Sequence, residues 1–266
     1  MTATQSSPEF VLAGAEALLR VSAVRLSAQR AELSVPAGGW FADPIAGRCR
    51  SALGVPLDDV TGYVVASGAP PGRWPVSLGI RLDFLTDPPV DGPPMSVTGE
   101  LIARDHASGT TRGSVVGGHG ELIALVTQRS HLVSVTATPA NVATTFDVPT
   151  ADVPVSEALG LRDRAAGHVE MPPNELAANA MGNVHGGVLL IGSEVAAMSA
   201  LEASGEFRTT SIDIAYVRPG DGRNTVTFGA EVLHRGRSVA VIAVTAFNSS
   251  GKPCSNATVV VQRRRP

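Results

Sequence analysis

Aromatic side chains are scarce in this sequence: they make up 4% of its 266 residues, whereas hydrophobic residues as a class make up 44%. A core must therefore be built from Ala, Val, Leu and Ile rather than from large rings, and so much apolar content excludes a disordered chain. Charge is sparse as well. With 17% charged residues and a net charge of −3, no basic face is left for nucleic acid or an anionic membrane. No run approaches the roughly 18 uninterrupted apolar residues of a membrane-spanning helix. The N-terminal stretch MTATQSSPEFVLAGAEALL has no basic region ahead of a clean apolar segment. We read a cytoplasmic protein without nucleic-acid or membrane partners. In that setting Cys49 and Cys254 are expected as buried free thiols, and the Asn248-Ser249-Ser250 and Asn256-Ala257-Thr258 sequons have no enzyme to read them.

Other absences narrow the chemistry. The six histidines and two cysteines show no metal-ligand spacing, so no metal is expected. There is no G-x-S-x-G elbow, which argues against an α/β-hydrolase. The segment GSVVGGHG at 113–120 lacks the Gly-Lys-Ser/Thr ending of a phosphate loop and lies in strand-like sequence, where glycines mark a turn or bulge.

What the sequence does contain is a decayed internal repeat. Residues 183–201 read NVHGGVLLIGSEVAAMSAL, an apolar helix pattern that carries one acid, Glu194. Around residue 50 the chain reads AGRCRSALGVPLDDVTGYVVAS. Placing Gly47 on Gly182 sets Arg50 on His185, Ser51-Ala52 on Gly186-Gly187 and Asp59 on Glu194. Downstream, VSLGIRLDFL (76–85) matches TTSIDIAYV (209–217), and SVTGELIAR (96–104) matches TVTFGAEVLHR (225–235). Each copy has one enclosed helix followed by period-2 strands separated by turn compositions, an antiparallel meander. The reading is an α+β chain of two halves, 1–137 and 155–266, joined by a Thr/Pro/Ala-rich linker at 138–154.

The segment Asn179-x-x-Gly182-x-Val184-His185-Gly186-Gly187, with Glu194 nine residues after the histidine, resembles the signature of hotdog-fold acyl-CoA thioesterases of the phenylacetate-pathway and 4-hydroxybenzoyl-CoA types. The resemblance implies a double hotdog, in which two fused halves replace the two subunits of a single-hotdog dimer. It implies acyl- or aroyl-CoA as substrate, no cofactor beyond the coenzyme A of that substrate, and whole chains that can pair as homo-oligomers.

A thioester under attack gathers negative charge on its oxygen, and the unpaired amides at a helix start are suited to meet it. Gly186 and Gly187 are the expected donors, with His185 orienting the turn and Asn179 adding a side-chain donor. Glu194 lies roughly 10–13 Å along the helix from His185, too far to serve the same site. By the resemblance, the acid comes from the other half: Asp59 works with Gly186 as general base or nucleophile, and a one-residue slip would substitute Asp58. The converse site joins Asp43, Arg50 and Ser51 to Glu194. It has lost the histidine and glycines, and Arg50 is expected to neutralise Glu194. Arg218, Arg235 and Arg237, in or beside turns, are candidates for the coenzyme phosphates. Two other readings remain, a non-catalytic acyl-CoA binder and an acyl-thioester hydratase or dehydratase, although the latter's D-x-N-x-x-H type segment is missing.

Overall fold

The computed structural model describes residues 8–141, 145–202 and 205–264. The first seven residues, and linker positions 142–144, lie outside the described part. The first half runs through helix α1 (Gly14–Leu18), strands β1 (Ser22–Arg25) and β2 (Arg30–Val35), a small hairpin of β3 (Ala42–Asp43) and β4 (Gly47–Arg48), and helix α2 (Gly54–Ala66). Strands β5 (Arg73–Phe84), β6 (Met95–Arg104), β7 (Ser108–Val116) and β8 (Leu122–Ser134) complete it. The second half repeats the order with α3 (Val155–Ala158), β9 (Arg162–Ala165), β10 (His168–Met171), α4 (Gly186–Leu201), β11 (Phe207–Tyr216), β12 (Val226–Arg235), β13 (Val239–Phe247) and β14 (Pro253–Arg263).

All strands except the β3–β4 hairpin form one 12-stranded sheet in the order β1-β2-β6-β7-β8-β5-β11-β14-β13-β12-β10-β9. That order reads the same from either edge once the halves are exchanged. The halves join where β5 pairs antiparallel with β11, with Leu82 opposite Ile212 and Ile80 opposite Ile214. These residues are buried, and the long helices α2 and α4 pack on that face. The phosphate-loop lookalike at 113–120 is the end of β7 and the turn after it.

The two helices cross at their starts, and glycine permits it. A Cβ on Gly187 would lie 2.4 Å from Val55 N, and one on Gly54 would lie 2.6 Å from Leu190 Cδ1. Pro56 falls in the first turn of α2, where its missing N–H costs no bond. α4 begins at His185, whose Nδ1 accepts from Gly187 N–H at 3.0 Å, and ends at Glu202 in left-handed conformation (φ 48°). Around α4 nearly every side chain is buried, including Glu194. Cys49 and Cys254 are both buried and unpaired. No helix among the described residues is long and apolar enough to cross a membrane.

Candidate active site

A cavity of about 510 Å³ opens where the start of α4 meets α2 and β5, lined among others by Asp58, Asp59, Gly62, Trp74, His185 and Tyr216. Gly186 is the first residue of α4, and its N–H has no hydrogen-bond partner among the described residues. Its carbonyl accepts from the Tyr216 hydroxyl at 2.9 Å. A Cβ on Gly186 would stand 2.5 Å from Asp58 Oδ2 and 3.0 Å from the Tyr216 oxygen. Only glycine leaves that space open. Gly187, the second expected donor, has its N–H committed to His185, and its missing side chain serves the helix crossing instead. Asn179 also lines the cavity; its Oδ1 accepts from the amides of Met181 and Asn183, which shapes the loop and leaves its Nδ2 without a hydrogen-bond partner among the described residues.

The acid beside Gly186 is Asp58, one residue from the expected Asp59. The cause is the short 3-10 turn at Arg50–Leu53 that precedes α2. Such a turn advances about 120° per residue against about 100° in an α-helix, so four residues gain about 80°, close to one residue's step. The nine-residue spacing that holds along α4 therefore presents the preceding residue on α2.

Asp58 is 12% exposed and held from behind. Its Oδ1 accepts from Ser77 Oγ at 2.7 Å and from Gln128 Nε2 at 2.6 Å, and Gln128 Nε2 also reaches Ser77 Oγ at 2.6 Å. Thr61 Oγ1 donates to Gln128 Oε1 and orients the amide. Burial raises the Asp58 pKa, and nearby His185 and the bond from Ser77 limit the rise. Ser77 points inward because β5 carries a bulge: Ser77 pairs with Ser130 and Gly79 with Arg129, so Leu78 is the extra residue and is turned outward. Gln128 follows from the alternation of β8, whose residues Val126, Gln128, Ser130 and Leu132 are all buried. Sequence reasoning passed over Ser77, Gln128 and Tyr216. For Gln128 a signal existed, a polar residue on the apolar phase of a strand. For Ser77 the bulge hid it.

Asp59 lies one helix step round in the same cavity lining. Its Oδ1 lies 3.2 Å from His185 Nε2, and its Oδ2 has no hydrogen-bond partner among the described residues. A third buried acid completes this cluster: Glu16, from α1, places Oε1 3.6 Å from the same ring nitrogen. Burial first, then the charge of Asp59, pushes the Glu16 pKa up to about 8. Burial opposes a charge on His185, but Asp59, Glu16 and Asp58 outweigh it and push its pKa up to about 10. The bond from Gly187 N–H needs an unprotonated Nδ1, so in this geometry the imidazole carries its proton on Nε2, directed at Asp59. Glu16, Asp59 and His185 have the proximity of a metal site. The imidazole does not suit one: Nδ1 is occupied by Gly187 N–H, which puts the proton on Nε2, the nitrogen that faces the acids.

The equivalent position in the first half is closed. Ser51 N–H and Ser51 Oγ both donate to Glu194 Oε2, at 2.9 and 2.6 Å, so the acid fills the place a substrate oxygen would need. Arg50 does not neutralise Glu194, contrary to expectation. It bonds Asp87 at 2.6 Å and the Thr209 carbonyl at 2.9 Å. Asp43 accepts from the amides of Ile45 and Ala46, shaping its loop as Asn179 does. The residual space there is about 10 Å³.

Of the candidate arginines, Arg218 lines the cavity and donates to the Pro253 carbonyl. Arg235 and Arg237 lie elsewhere. Arg263, paired with Phe207 at the start of β11, donates to the Arg237 carbonyl, whereas the cavity sits at the Tyr216 end of that strand. The β12–β13 turn is thus at the far end of the sheet, because β11 and β12 run from opposite ends.

The model of the thioesterase superfamily matches residues 181–255. No curated protein matches the chain in sequence. Among solved structures, the chain is similar to an acyl-CoA thioesterase II from Mycobacterium marinum (TM-score 0.61, 11% identity, covering 94% of this chain and 97% of that one). It is similar to a 12:0-ACP thioesterase from Umbellularia californica (TM-score 0.60, 11% identity, 88% and 94%). It also resembles a protein with the hot dog fold from Alicyclobacillus acidocaldarius (TM-score 0.61, 12% identity, 96% and 100%). The fold is thus that of a double hotdog, and within its second half residues 181–255 match the thioesterase superfamily model.

Proposed function

We propose that the protein hydrolyses an acyl- or aroyl-CoA thioester at the single open site, with Asp58 as general base. The observation that carries this reading is the unpaired Gly186 N–H at the start of α4, with the Asp58 carboxylate packed so close beside the same residue that only glycine fits there. A thioester carbonyl seated at the start of α4 meets that amide together with the positive end of the helix dipole, which stabilises the developing oxyanion. Asn179 belongs to the same lining, and its Nδ2 is the second donor in this reading. Water held by Asp58 Oδ2 attacks the carbonyl carbon and gives its proton to the carboxylate. Ser77 and Gln128 keep Asp58 Oδ1 occupied, so Oδ2 is the oxygen left to face the substrate. Collapse of the tetrahedral intermediate expels the coenzyme thiolate, which takes up that proton. Arg218 at the cavity rim is the one candidate arginine placed to meet a phosphate-bearing leaving group.

The test is thiol release from a panel of short, medium, long and aromatic acyl-CoAs, with binding measured in parallel by calorimetry. Turnover that Asp58→Asn abolishes while binding persists is the expected result. Binding without turnover in the wild type would establish an acyl-CoA-binding protein instead.

A further inference from the structure

Helix α2 shows little of itself outside the core. Of its 13 residues, all are buried except Asp58 and Gly62. These two stand four apart, on one face and about 6 Å from each other along the axis, and both line the open cavity. Glycine is a poor residue for a helix interior, because it loses the most backbone freedom on ordering. The other glycines of α2 and α4 stand at close approaches: a Cβ on Gly54, Gly186, Gly187 or Gly192 would come within 2.6 Å of a neighbouring atom. At Gly62 a Cβ would meet nothing within 4 Å. Packing therefore does not demand a glycine here, and what the missing side chain leaves is room in the cavity.

The repeat holds the same position filled. Glu194 is to the closed site what Asp58 is to the open one, and four residues after it stands Met198, 2% exposed, which lines the residual space of about 10 Å³ together with Glu194. A methionine thus takes in one half the place that Gly62 leaves vacant in the other, beside a cavity of about 510 Å³. The direction of the vacant space follows from α2 and β5, which pass each other so that later residues of the helix meet earlier residues of the strand. Asp58 accepts from Ser77, and one turn on the ring of Tyr63 meets that of Trp74 edge to face, with centroids 6.0 Å apart. Trp74, Val76 and Val133 are half-buried and line the same cavity as Gly62. The wall in that direction is apolar and partly aromatic.

From this geometry we infer that Gly62 sets the acyl specificity of the open site: the acyl group extends from the carbonyl at Gly186 along α2, over Gly62, to the wall made by Trp74, Val76 and Val133, and the preferred substrates are thioesters of bulky apolar acids. That placement rests on the thioesterase reading. An acetyl group ends before Gly62 and leaves the wall uncovered. An octanoyl chain or a benzoyl ring fills the space and buries apolar surface against it. A side chain at position 62 competes for the same volume, so its effect grows with its own size and with that of the acyl group.

The experiment compares acetyl-, octanoyl- and benzoyl-CoA on the wild type, Gly62→Ala and Gly62→Met, with kcat/KM from thiol release, affinity from calorimetry and the melting temperature of each protein. The wild type is expected to prefer octanoyl- or benzoyl-CoA to acetyl-CoA by about tenfold or more. Gly62→Met carries the closed-site residue into the open site, and the ratio of bulky to acetyl kcat/KM is expected to fall about tenfold or more, with a smaller fall in Gly62→Ala. Gly62→Ala is also expected to melt about 2 °C higher, because alanine favours the helix and its Cβ meets open space. A weaker bulky substrate in a more stable protein cannot come from unfolding, so Gly62→Ala decides the matter even where Gly62→Met does not fold. The thioester that loses more tells ring from chain. An unchanged ratio in both variants, with turnover retained, would overturn the proposal and leave hydrolysis standing. Should the wild type bind the panel without turnover, the affinities decide: octanoyl or benzoyl binding weakened about tenfold relative to acetyl in Gly62→Met upholds the place of the acyl group and leaves the hydrolysis reading alone to fail. A wild type that prefers acetyl-CoA, or that binds none of the three, would overturn it.

Discussion

The starts of α4 and α2 carry the same device to opposite ends. At α4 a glycine amide is free and a carboxylate lies beside it in the lining of a cavity of about 510 Å³; at the 3-10 turn leading into α2 a serine amide and hydroxyl hold the opposing carboxylate, and about 10 Å³ remains. The difference lies in who satisfies the amide. Ser51 N–H is bonded by Glu194 of its own chain, so the polar groups there are an internal pair buried in the core. Gly186 N–H waits, while Asp58 is drawn back by Ser77 and Gln128 from β5 and β8. On the proposed reading the unfilled helix start is the binding site, and the filled one is packing.

The comparison can be broken most sharply by carrying the first-half residue into the second. Gly186→Ser places a side chain against Asp58 and Tyr216, and kcat/KM for thiol release should fall about 10²-fold or more. A variant with near wild-type turnover would show that the gap is not where the carbonyl binds. The reverse case is Ser51→Ala, which takes a 2.6 Å hydrogen bond from a fully buried acid. Urea denaturation should register about 1.5–3 kcal/mol of lost stability, with kcat unchanged. Glu194→Gln should leave kcat/KM within about twofold, since the closed site is independent of the open one. Smaller and graded is the effect of pH on stability. Glu16 titrates near 4.5 when unfolded and at about 8 when folded, so between these values the folded state holds a proton that the unfolded state has released. Through this group stability should decline as pH rises from about 4.5 to 8, and Glu16→Gln should flatten that part of the melting-temperature curve.

Much of this architecture was legible in the residues. The match of 76–85 to 209–217 located β5 and β11, and the match of 96–104 to 225–235 located β6 and β12, because buried strands keep their period-2 pattern after identity has decayed. His185 and Gly186 were legible because a cap and a bare amide need particular residue types. Three features were not. The shift from Asp59 to Asp58 depends on the pitch of a 3-10 turn. The inward turn of Ser77 depends on a bulge, which reverses the alternation a strand reading assumes. Glu16 depends on which surface a distant arm docks against, and no local pattern encodes that. The expectation for Arg235 and Arg237 failed for a related reason: basic residues in a turn were read without knowing to which end of the sheet that turn belongs.

The central claim is that one carboxylate, Asp58, facing one free amide, does the work. Its most direct test is to measure kcat/KM and acyl-CoA affinity for Asp58→Asn and Asp59→Asn side by side on the best substrate of the panel. The account predicts about a 10³-fold or greater loss of kcat/KM in Asp58→Asn with affinity retained, and a loss at least tenfold smaller in Asp59→Asn, whose partner is His185. A fall confined to Asp59→Asn, with Asp58→Asn still turning over, would contradict it.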